Sequence, residues 1–434
     1  MAGLEEVFGI STGVNNLSYV DRGKLDDQLQ RALRAGRHIV IHGGSKQGKS
    51  WLRSRAITRE NTILVQCLPG STAASLLREG LGQIGVSATL TTTKEKQLTG
   101  TLDFRGSAEV GKLFAKVKAE IDAGIEIEKS TSEESAPVGQ TPADLSWVSR
   151  TLVASNKYLV LEDFHYLDES DQKAFAFFLK AMDGYELFAI LVGVWPQDHL
   201  LTYYNGELDG RVQDFRLEWS DEELGQVLQK GCDALNIVMS DEVQESLIRE
   251  SFGNVGTLQR LAEAFCRLSE VLESHPGRDR LHLDSTMHRD DALGDVAIQM
   301  SSRYTTFADN FIRGMRRMNE SLLVYQLMLK ELTNASESDL LSGVDSKALL
   351  ERINKDRETK IRPADLTQAL DRIDRLQVKI EIRPPVLSYN KSNRRIYLAD
   401  RSFLFYRKFA QPKWPWDQDT EITNDLAESD PLEI

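Results

Sequence analysis

Short apolar runs and amphipathic stretches alternate along the first half of the chain. The apolar runs cover residues 37–42, 61–67, 158–163, 188–195 and 215–219. Runs of this length predict buried strands. The stretches between them place apolar residues at helical spacing, as at Leu25, Leu29 and Leu33. Strands that alternate with helices predict an α/β fold in which helices cover both faces of a parallel sheet.

Beyond residue 219 the strand pattern gives way to helices. Helical periodicity covers residues 221–230, 241–251, 257–272, 283–335, 346–354 and 363–376. Two alternating segments joined by a polar turn then predict a hairpin over 385–398. Three helices followed by a hairpin is the order of a winged helix. The chain is therefore expected to divide into a core at 1–220 with an insertion at about 86–145, a small helical domain at 221–275, a helical linker at 276–335, a winged helix at 336–410 and a tail at 411–434.

Length and composition indicate a folded protein of the cytoplasm. The chain has 434 residues, which is typical of about three domains. Its apolar runs fall short of the ~20 residues that cross a bilayer, so we expect no membrane partner. The N-terminus lacks the pattern of a secretory signal. The three scattered cysteines, Cys67, Cys232 and Cys266, predict core residues rather than disulfides or a zinc site.

Charge is distributed unevenly. The net charge of −13 argues against a protein that coats nucleic acid. Between residues 345 and 408, however, Lys and Arg outnumber Asp and Glu by 16 to 9, a local excess that can meet phosphate. After Gln411 acids dominate, which predicts a solvated tail.

One motif carries specific chemistry. The segment from Gly43 to Ser50 fits G-x-x-x-x-G-K-[ST] and lies between a predicted strand and a predicted helix, as a P-loop requires. Its backbone N–H groups and the helix N-terminus would surround phosphate oxygens, Lys49 would reach the β- and γ-phosphates, and Ser50 would bind Mg²⁺. The residues predicted to bind ATP are Gly43, Gly44, Ser45, Lys46, Gln47, Gly48, Lys49, Ser50 and Trp51.

A P-loop needs acids on a neighbouring strand, and Glu162 and Asp163 end the run at 158–163. One carboxylate would orient Mg²⁺ and the other would activate the attacking water. By position the first acid is on the metal side and the second is the base. The usual Asp-Glu order is inverted here, so the assignment of the two roles stays open, and both acids are candidate metal ligands and catalytic groups.

The P-loop, the acid pair and the helical segments after them resemble the AAA+ ATPases and the related STAND ATPases, in particular the Orc/Cdc6-like branch. The resemblance covers residues 16–270, and the predicted winged helix extends it to about 410. It implies an ATPase core with a helical lid at 221–275, ATP and Mg²⁺ as cofactors, and a homo-oligomer. In that family an arginine finger precedes a short strand, and Arg211 stands at the corresponding place, where it would reach a neighbour's γ-phosphate.

The chain departs from the family pattern at two positions. The family usually ends its sensor-1 strand on a polar residue, whereas this chain has Gly193-Val194-Trp195. Gly256 occupies the place of the sensor-2 arginine, and Arg260 follows one helical turn later. Slow turnover is expected for this reason. The element at 19–22 resembles the segment that lines the adenine pocket.

Two histidines and the basic C-terminal region leave alternatives open. His42 and His165 flank the P-loop and the acid pair, where each could meet nucleotide or bond locally. The helix at 363–376 carries Arg372 and Arg375, which suit DNA, but also Asp365, Asp371 and Asp374, which repel phosphate. The sequence favours neither of two uses for this region, DNA binding or packing on the ATPase core as a regulatory element.

The function expected from these features is a Mg²⁺-dependent AAA+/STAND ATPase that acts as an oligomerising nucleotide switch. The resemblance suggests phage defence or mobile-element DNA transactions, with a separate effector protein. One alternative is a DNA-binding AAA+ loader or transposition regulator. The other is an ATP-locked scaffold with little turnover.

Overall fold

A computed structural model describes residues 1–10, 17–92, 98–103, 136–138, 143–315 and 322–415. The chain divides into two compact units. Unit 1 contains Met1–Asn236 together with Gly253–Gly256, and unit 2 contains Ile237–Phe252 and the chain from Thr257 onward. The four-residue segment Gly253–Gly256 therefore belongs to unit 1, although the residues on both sides of it belong to unit 2.

Unit 1 contains the strands β1 (His38–Gly43), β2 (Thr62–Gln66), β3 (Ser87–Thr92), β4 (Leu98–Asp103), β5 (Ala136–Val138), β6 (Tyr158–Glu162), β7 (Ala189–Val192) and β8 (Val212–Leu217). Its helices are α1 (Leu4–Phe8), α2 (Leu25–Arg34), α3 (Lys49–Ala56), α4 (Ala73–Gln83), α5 (Ala143–Ala154), α6 (Glu169–Asp183), α7 (Leu200–Tyr204) and α8 (Asp221–Leu235). Each of the five strands predicted in this region is present.

Those five strands form one parallel sheet in the order β2-β6-β7-β1-β8. Val40, on β1, packs into a core on one face, with Leu161 and Leu191. Its neighbours Ile39 and Ile41 point to the other face and pack with Leu52 of α3. The sheet is thus buried on both sides, which explains why its strands are apolar runs. The predicted α/β fold is confirmed.

The region predicted as an insertion contains strands that the sequence analysis did not identify. β3 pairs antiparallel with β4, and β4 with β5. The segments 93–97, 104–135 and 139–142 lie outside the described residues. The polar composition of this region concealed its strands, because polar strands lack the apolar signal of buried ones.

Unit 2 contains β9 (Ile237–Met239), α9 (Asp241–Glu250), β10 (Leu281–Leu283), α11 (Thr286–Met315), α12 (Leu322–Asn334), α13 (Glu337–Ser342), β11 (Val344–Asp345), α14 (Ser346–Asn354), α15 (Pro363–Lys379), β12 (Leu387–Asn390), β13 (Arg395–Leu398) and α16 (Ser402–Ala410). A further helix, α10 (Val255–Leu268), begins with the last two residues that belong to unit 1. The predicted hairpin is confirmed as β12 and β13, and β11 adds a third antiparallel strand. The acidic tail beyond residue 415 lies outside the described residues.

Polar side chains fix the hairpin of unit 2 against α15. The amide of Gln377 donates to the Leu387 carbonyl (2.7 Å) and accepts from the backbone N–H groups of Val386 and Leu387. Asp374 accepts from the backbone N–H of Tyr389 (3.2 Å). Because buried backbone groups need partners, these contacts satisfy the start of β12 and hold it in register.

The three cysteines have the environment that was predicted from composition. Cys67, Cys232 and Cys266 are buried thiols, as expected of core residues. Of the helices in the described part of the chain, none combines the length and the apolar character needed to span a bilayer. Ser220 caps α8 with a capping box, in which its side chain accepts from Glu223 N–H and the Glu223 carboxylate accepts from Ser220 N–H.

Candidate nucleotide-binding site

The loop after β1 has the backbone of a phosphate cradle. Gly43 ends the strand with φ of 132°, and a Cβ there would lie 2.6 Å from the carbonyl oxygen of Leu217, so only glycine fits. Lys46 and Gly48 also have positive φ, of 58° and 81°. Helix α3 then begins at Lys49. The loop therefore leads directly into a helix N-terminus, which presents backbone N–H groups and a partial positive charge.

The side chain of Lys49 lies across this loop. Its Nζ donates to the carbonyl oxygens of Gly44 (2.5 Å) and Gly43 (3.4 Å), and the residue is buried. These two bonds hold the ammonium group over the loop. A bound phosphate would offer the same ammonium a stronger, charged acceptor.

Glu162, the last residue of β6, faces the start of α3. Its carboxylate accepts from Ser50 Oγ (3.3 Å) and pairs with Arg53 Nε (3.1 Å). Burial raises the pKa of Glu162, and the Arg53 guanidinium and the Ser50 hydroxyl oppose that rise. Ser50 and Glu162, both predicted as metal ligands, are thus brought together. Arg53 was not identified from the sequence, although its position four residues after Lys49 puts it one helical turn further along α3.

Asp163 follows Glu162 in a left-handed backbone conformation, with φ of 57°. Its side chain contacts Gln66, whose amide donates to Asp163 Oδ2 from the neighbouring strand β2. Burial raises the pKa of Asp163, while the Gln66 amide and the Lys49 ammonium lower it. The two acids therefore have different partners, and Lys49 lies within electrostatic range of the second.

His165 and the end of β7 form a contact that the sequence did not reveal. The backbone N–H of Val194 donates to His165 Nδ1 (3.3 Å), so the ring carries its proton on Nε2. That Nε2 is buried and has no hydrogen-bond partner among the described residues. Burial lowers the pKa of His165 to about 3, and Lys49 lowers it further. The imidazole is therefore neutral and presents an N–H group near Lys49.

The departure at Gly193-Val194-Trp195 has a steric cause. A Cβ on Gly193 would lie 2.0 Å from the indole of Trp195, so no side chain can occupy this position. The Trp195 ring stacks on His42 (5.6 Å between centroids). His42 Nδ1 bonds to the Trp195 carbonyl (3.2 Å), which confirms a local hydrogen bond for this histidine.

A cationic and an aromatic side chain, which stack on each other, both contact the P-loop. The Arg22 guanidinium lies 4.0 Å from the centroid of the Trp219 ring. Both side chains donate to the carbonyl of Gln47, Arg22 from Nη1 (3.3 Å) and Trp219 from Nε1 (3.2 Å). The segment at 19–22, predicted to lie by the adenine, therefore contacts the P-loop through Arg22. Trp219 was treated only as the last residue of the predicted strand at 215–219, so its contact with the P-loop was missed.

The segment Gly253–Gly256 also contacts the P-loop within unit 1. The buried Asn254 amide donates to the Ser45 carbonyl (3.0 Å), and the backbone N–H of Gly256 donates to the Lys46 carbonyl (3.2 Å). The carbonyl of Gly253 accepts from the Gln47 side chain (3.1 Å). Two of these bonds use P-loop carbonyls and the third uses the Gln47 side chain, so none of the three occupies a backbone N–H group of the P-loop.

One predicted residue, Arg211, does not join this cluster. Arg211 lies at the opposite end of the strands, where its carbonyl accepts from the N–H of His38 at the start of β1 (3.0 Å). Its guanidinium pairs with Asp183 and donates to the Glu207 carbonyl (3.2 Å). Trp51 is half-buried in the first turn of α3. Within one chain, then, Arg211 is remote from Lys49.

The residues present suit a nucleoside triphosphate and Mg²⁺. Gly43 and Gly48 give the loop positive φ angles that glycine readily adopts. Ser50 is exposed, and its hydroxyl contacts Glu162. The Nε2–H group of His165, which has no partner among the described residues, lies near Lys49. Hydroxyl and carboxylate oxygens are the ligands that Mg²⁺ prefers, with water and phosphate completing its shell. The described residues include no group of three or more His, Cys, Asp or Glu side chains that could hold a metal alone. Such a site suits a metal that shares its ligands with a substrate.

Comparisons with known proteins agree with this fold. No protein-family model and no curated protein matches the sequence. Among solved structures, the Walker-type ATPase PABY2304 of Pyrococcus abyssi aligns with a TM-score of 0.53 and 14% identity, over 94% of this chain and 100% of that one. A RuvB variant of Thermotoga maritima aligns over 90% of this chain and 94% of its own, with 11% identity and a TM-score of only 0.33. The chain has the fold of the P-loop NTPases.

Proposed function

We propose that the chain binds ATP with Mg²⁺ at the P-loop and hydrolyses it. The observation that carries this proposal is the 3.3 Å contact between the Ser50 hydroxyl and the Glu162 carboxylate beside the cradle. It brings together two oxygen ligands that would hold Mg²⁺ beside the phosphates of bound ATP. Bound Mg²⁺ would neutralise charge that develops on the phosphoryl oxygens.

The two acids then take separate roles. Glu162 is on the metal side, because it contacts Ser50, and Asp163 is the base. Asp163 takes a proton from the attacking water as the water oxygen bonds to the γ-phosphorus and the bond to the β–γ bridging oxygen breaks. Gln66 orients Asp163 for this step through its hydrogen bond. Lys49 balances charge on the leaving ADP.

We further propose that the protein works as an oligomeric AAA+/STAND ATPase of the Orc/Cdc6-like type, in which Arg211 acts on a neighbour's nucleotide. The position of Arg211 at the far end of the strands supports a role in trans, since it cannot serve its own P-loop. The Arg211–Asp183 pair would have to open for this. A separate effector protein, and a setting in phage defence or mobile-element DNA, are extensions of the same proposal.

A second candidate function is DNA binding by unit 2. Helices α14 and α15 with the strands β11, β13 and β12 have the order of a winged helix, and we propose that they form one. Arg372 and Arg394 are exposed on α15 and next to the hairpin turn. Asp365, however, pairs with Arg362 and reduces the positive charge of the helix start. A fall in DNA affinity with rising salt would support this candidate, and absence of binding at low salt would remove it.

Equilibrium binding of a fluorescent ATP analogue tests the primary proposal. Wild type should bind in the presence of Mg²⁺, and Lys49→Ala should bind much more weakly while it keeps its thermal stability. Lys173→Ala, an exposed lysine of unit 1 paired with Glu169, is the matched control and should bind as wild type does. Equal affinity of all three proteins would contradict the proposal. Tight binding without phosphate release would identify the ATP-locked scaffold.

A further inference from the structure

The proposed ATPase site contains a hydrogen-bond donor, on His165, that the reaction scheme above does not use. His165 Nε2 is buried, carries the proton because Nδ1 accepts from Val194, and has no partner among the described residues. A buried donor without an acceptor costs free energy, so its persistence in a folded core needs a reason. A ligand acceptor that arrives with the substrate is such a reason.

The chain at the end of β7 explains why this donor comes from a histidine in the turn that follows the neighbouring strand β6. Trp195 covers Gly193 and excludes a side chain there, so β7 contributes only backbone at this point. Its Val194 N–H is directed at His165 and fixes both the orientation and the tautomer of the ring. The backbone at the end of β7 thus contributes no polar side chain itself, but it positions the imidazole of His165.

We propose that His165 donates a hydrogen bond from Nε2 to an oxygen of the γ-phosphoryl group of bound ATP, and so distinguishes ATP from ADP at this site. This inference rests on the proposed nucleotide-binding function. The Lys49 ammonium, which would contact the γ-phosphate, lowers the pKa of both Asp163 and His165. The γ-phosphate would therefore lie in the region between these side chains. The imidazole neither gains nor loses a proton in this role, and it makes no covalent bond.

Binding of ADP and of the slowly hydrolysed analogue ATPγS, measured separately with Mg²⁺, tests the proposal. His165→Leu removes the donor and should weaken ATPγS binding by about tenfold to a hundredfold, the effect of one hydrogen bond to a charged acceptor. ADP lacks the γ-phosphate, so its affinity should be unchanged. A purely structural histidine would change both affinities together or neither.

Two conservative variants keep the test informative if His165→Leu fails to fold. The amide nitrogen of Gln can reach the place of Nε2, whereas that of Asn reaches only the place of Nδ1. His165→Gln should therefore retain most of the preference for ATPγS over ADP, and His165→Asn should lose it. Equal preference in these two variants would overturn the proposal.

A matched control uses another buried histidine of the same sheet. His38 Nε2 bonds to the Leu179 carbonyl (2.9 Å) and its Nδ1 accepts from Ala189 N–H (3.1 Å), at the end of β1 remote from the P-loop. His38→Gln should lower thermal stability but leave the ratio of ATPγS to ADP affinity unchanged. Lys49→Ala separates the two claims. If it binds ATPγS as wild type does, the nucleotide site itself is wrong; if only the His165 variants are unaffected, the site stands and this inference fails.

Discussion

Glu162 Oε2 lies 3.3 Å from Ser50 Oγ, while Oε1 of the same carboxylate lies 3.1 Å from Arg53 Nε. One acid is thus shared between a predicted metal ligand and a buried cation. A carboxylate in that position can orient Mg²⁺ only while it is ionised, and the guanidinium favours the ionised form.

Glu162→Gln should therefore raise the Mg²⁺ concentration required for ATP binding and hydrolysis. The amide keeps the shape of the side chain but loses the charge that attracts the metal. Titration of activity with Mg²⁺ should show a midpoint shifted upward by about an order of magnitude. Glu169→Gln, on the exposed first turn of α6, is the control and should leave the midpoint in place. An unchanged midpoint for Glu162→Gln would remove Glu162 from the metal site.

Arg53→Met should destabilise the protein. Arg53 and Glu162 have side-chain exposures of only 11% and 9%, so loss of the guanidinium leaves a carboxylate buried without its cation. Removal of one partner from a buried pair costs about 3–5 kcal/mol, and Glu162 can reduce this cost by taking up a proton. Chemical denaturation at neutral pH measures the loss. Arg55→Met, in a half-exposed pair at 3.9 Å from Asp26, should change stability by less than about 1 kcal/mol, and an equal loss in both variants would contradict the role of burial.

Asp374→Asn should stabilise unit 2 at neutral pH and not in acid. Burial raises the pKa of Asp374 to about 6, against the smaller opposing effects of Ser388, the Tyr389 N–H and Lys391. The folded state then holds the proton more tightly than the unfolded state, so ionisation reduces stability as pH rises from about 4 to about 6. Thermal melts should show a higher Tm for the variant at pH 7 and a difference that vanishes near pH 4. A difference between Asp374→Asn and wild type that stays constant across this pH range would contradict the titration.

A mixing experiment tests whether Arg211 acts between subunits. Arg211→Ala should lower hydrolysis by about 10³ if it serves a neighbour's nucleotide. Lys49→Ala protomers keep Arg211, so adding them to Arg211→Ala protomers should recover part of the activity. Asp183→Asn removes only the ion pair and should remain active. Failure to recover, together with loss in Asp183→Asn, would assign Arg211 a structural role within one chain.

Local sequence patterns were sufficient to predict the strands of the parallel sheet and the phosphate cradle after β1. Each buried strand is an apolar run, and Gly43 and Gly48 mark the backbone that a P-loop needs, so both could be recognised from contiguous residues. The β12–β13 hairpin was predicted for the same reason. Each of these features depends on residues a few positions apart.

Contacts between distant segments were not predictable in this way. His165 accepts from Val194, and Trp219 and Arg22 meet at Gln47, only because the fold brings separate elements together. Asp209 and Asp214 are the acids nearest to Arg211 in the sequence, whereas its guanidinium pairs with Asp183, 28 residues earlier. The strands β3–β5 were missed because an antiparallel sheet of polar residues carries no apolar run.

The rate of phosphate release from bound MgATP by Asp163→Asn tests the central claim most directly. The variant keeps the acceptor for Gln66 but cannot take the proton of the attacking water. It should bind ATP as tightly as wild type and hydrolyse it about 10²–10⁴ times more slowly, the usual contribution of a general base. Hydrolysis at the wild-type rate, with ATP bound at the P-loop, would show that Asp163 is not the base and would contradict the division of roles between Glu162 and Asp163.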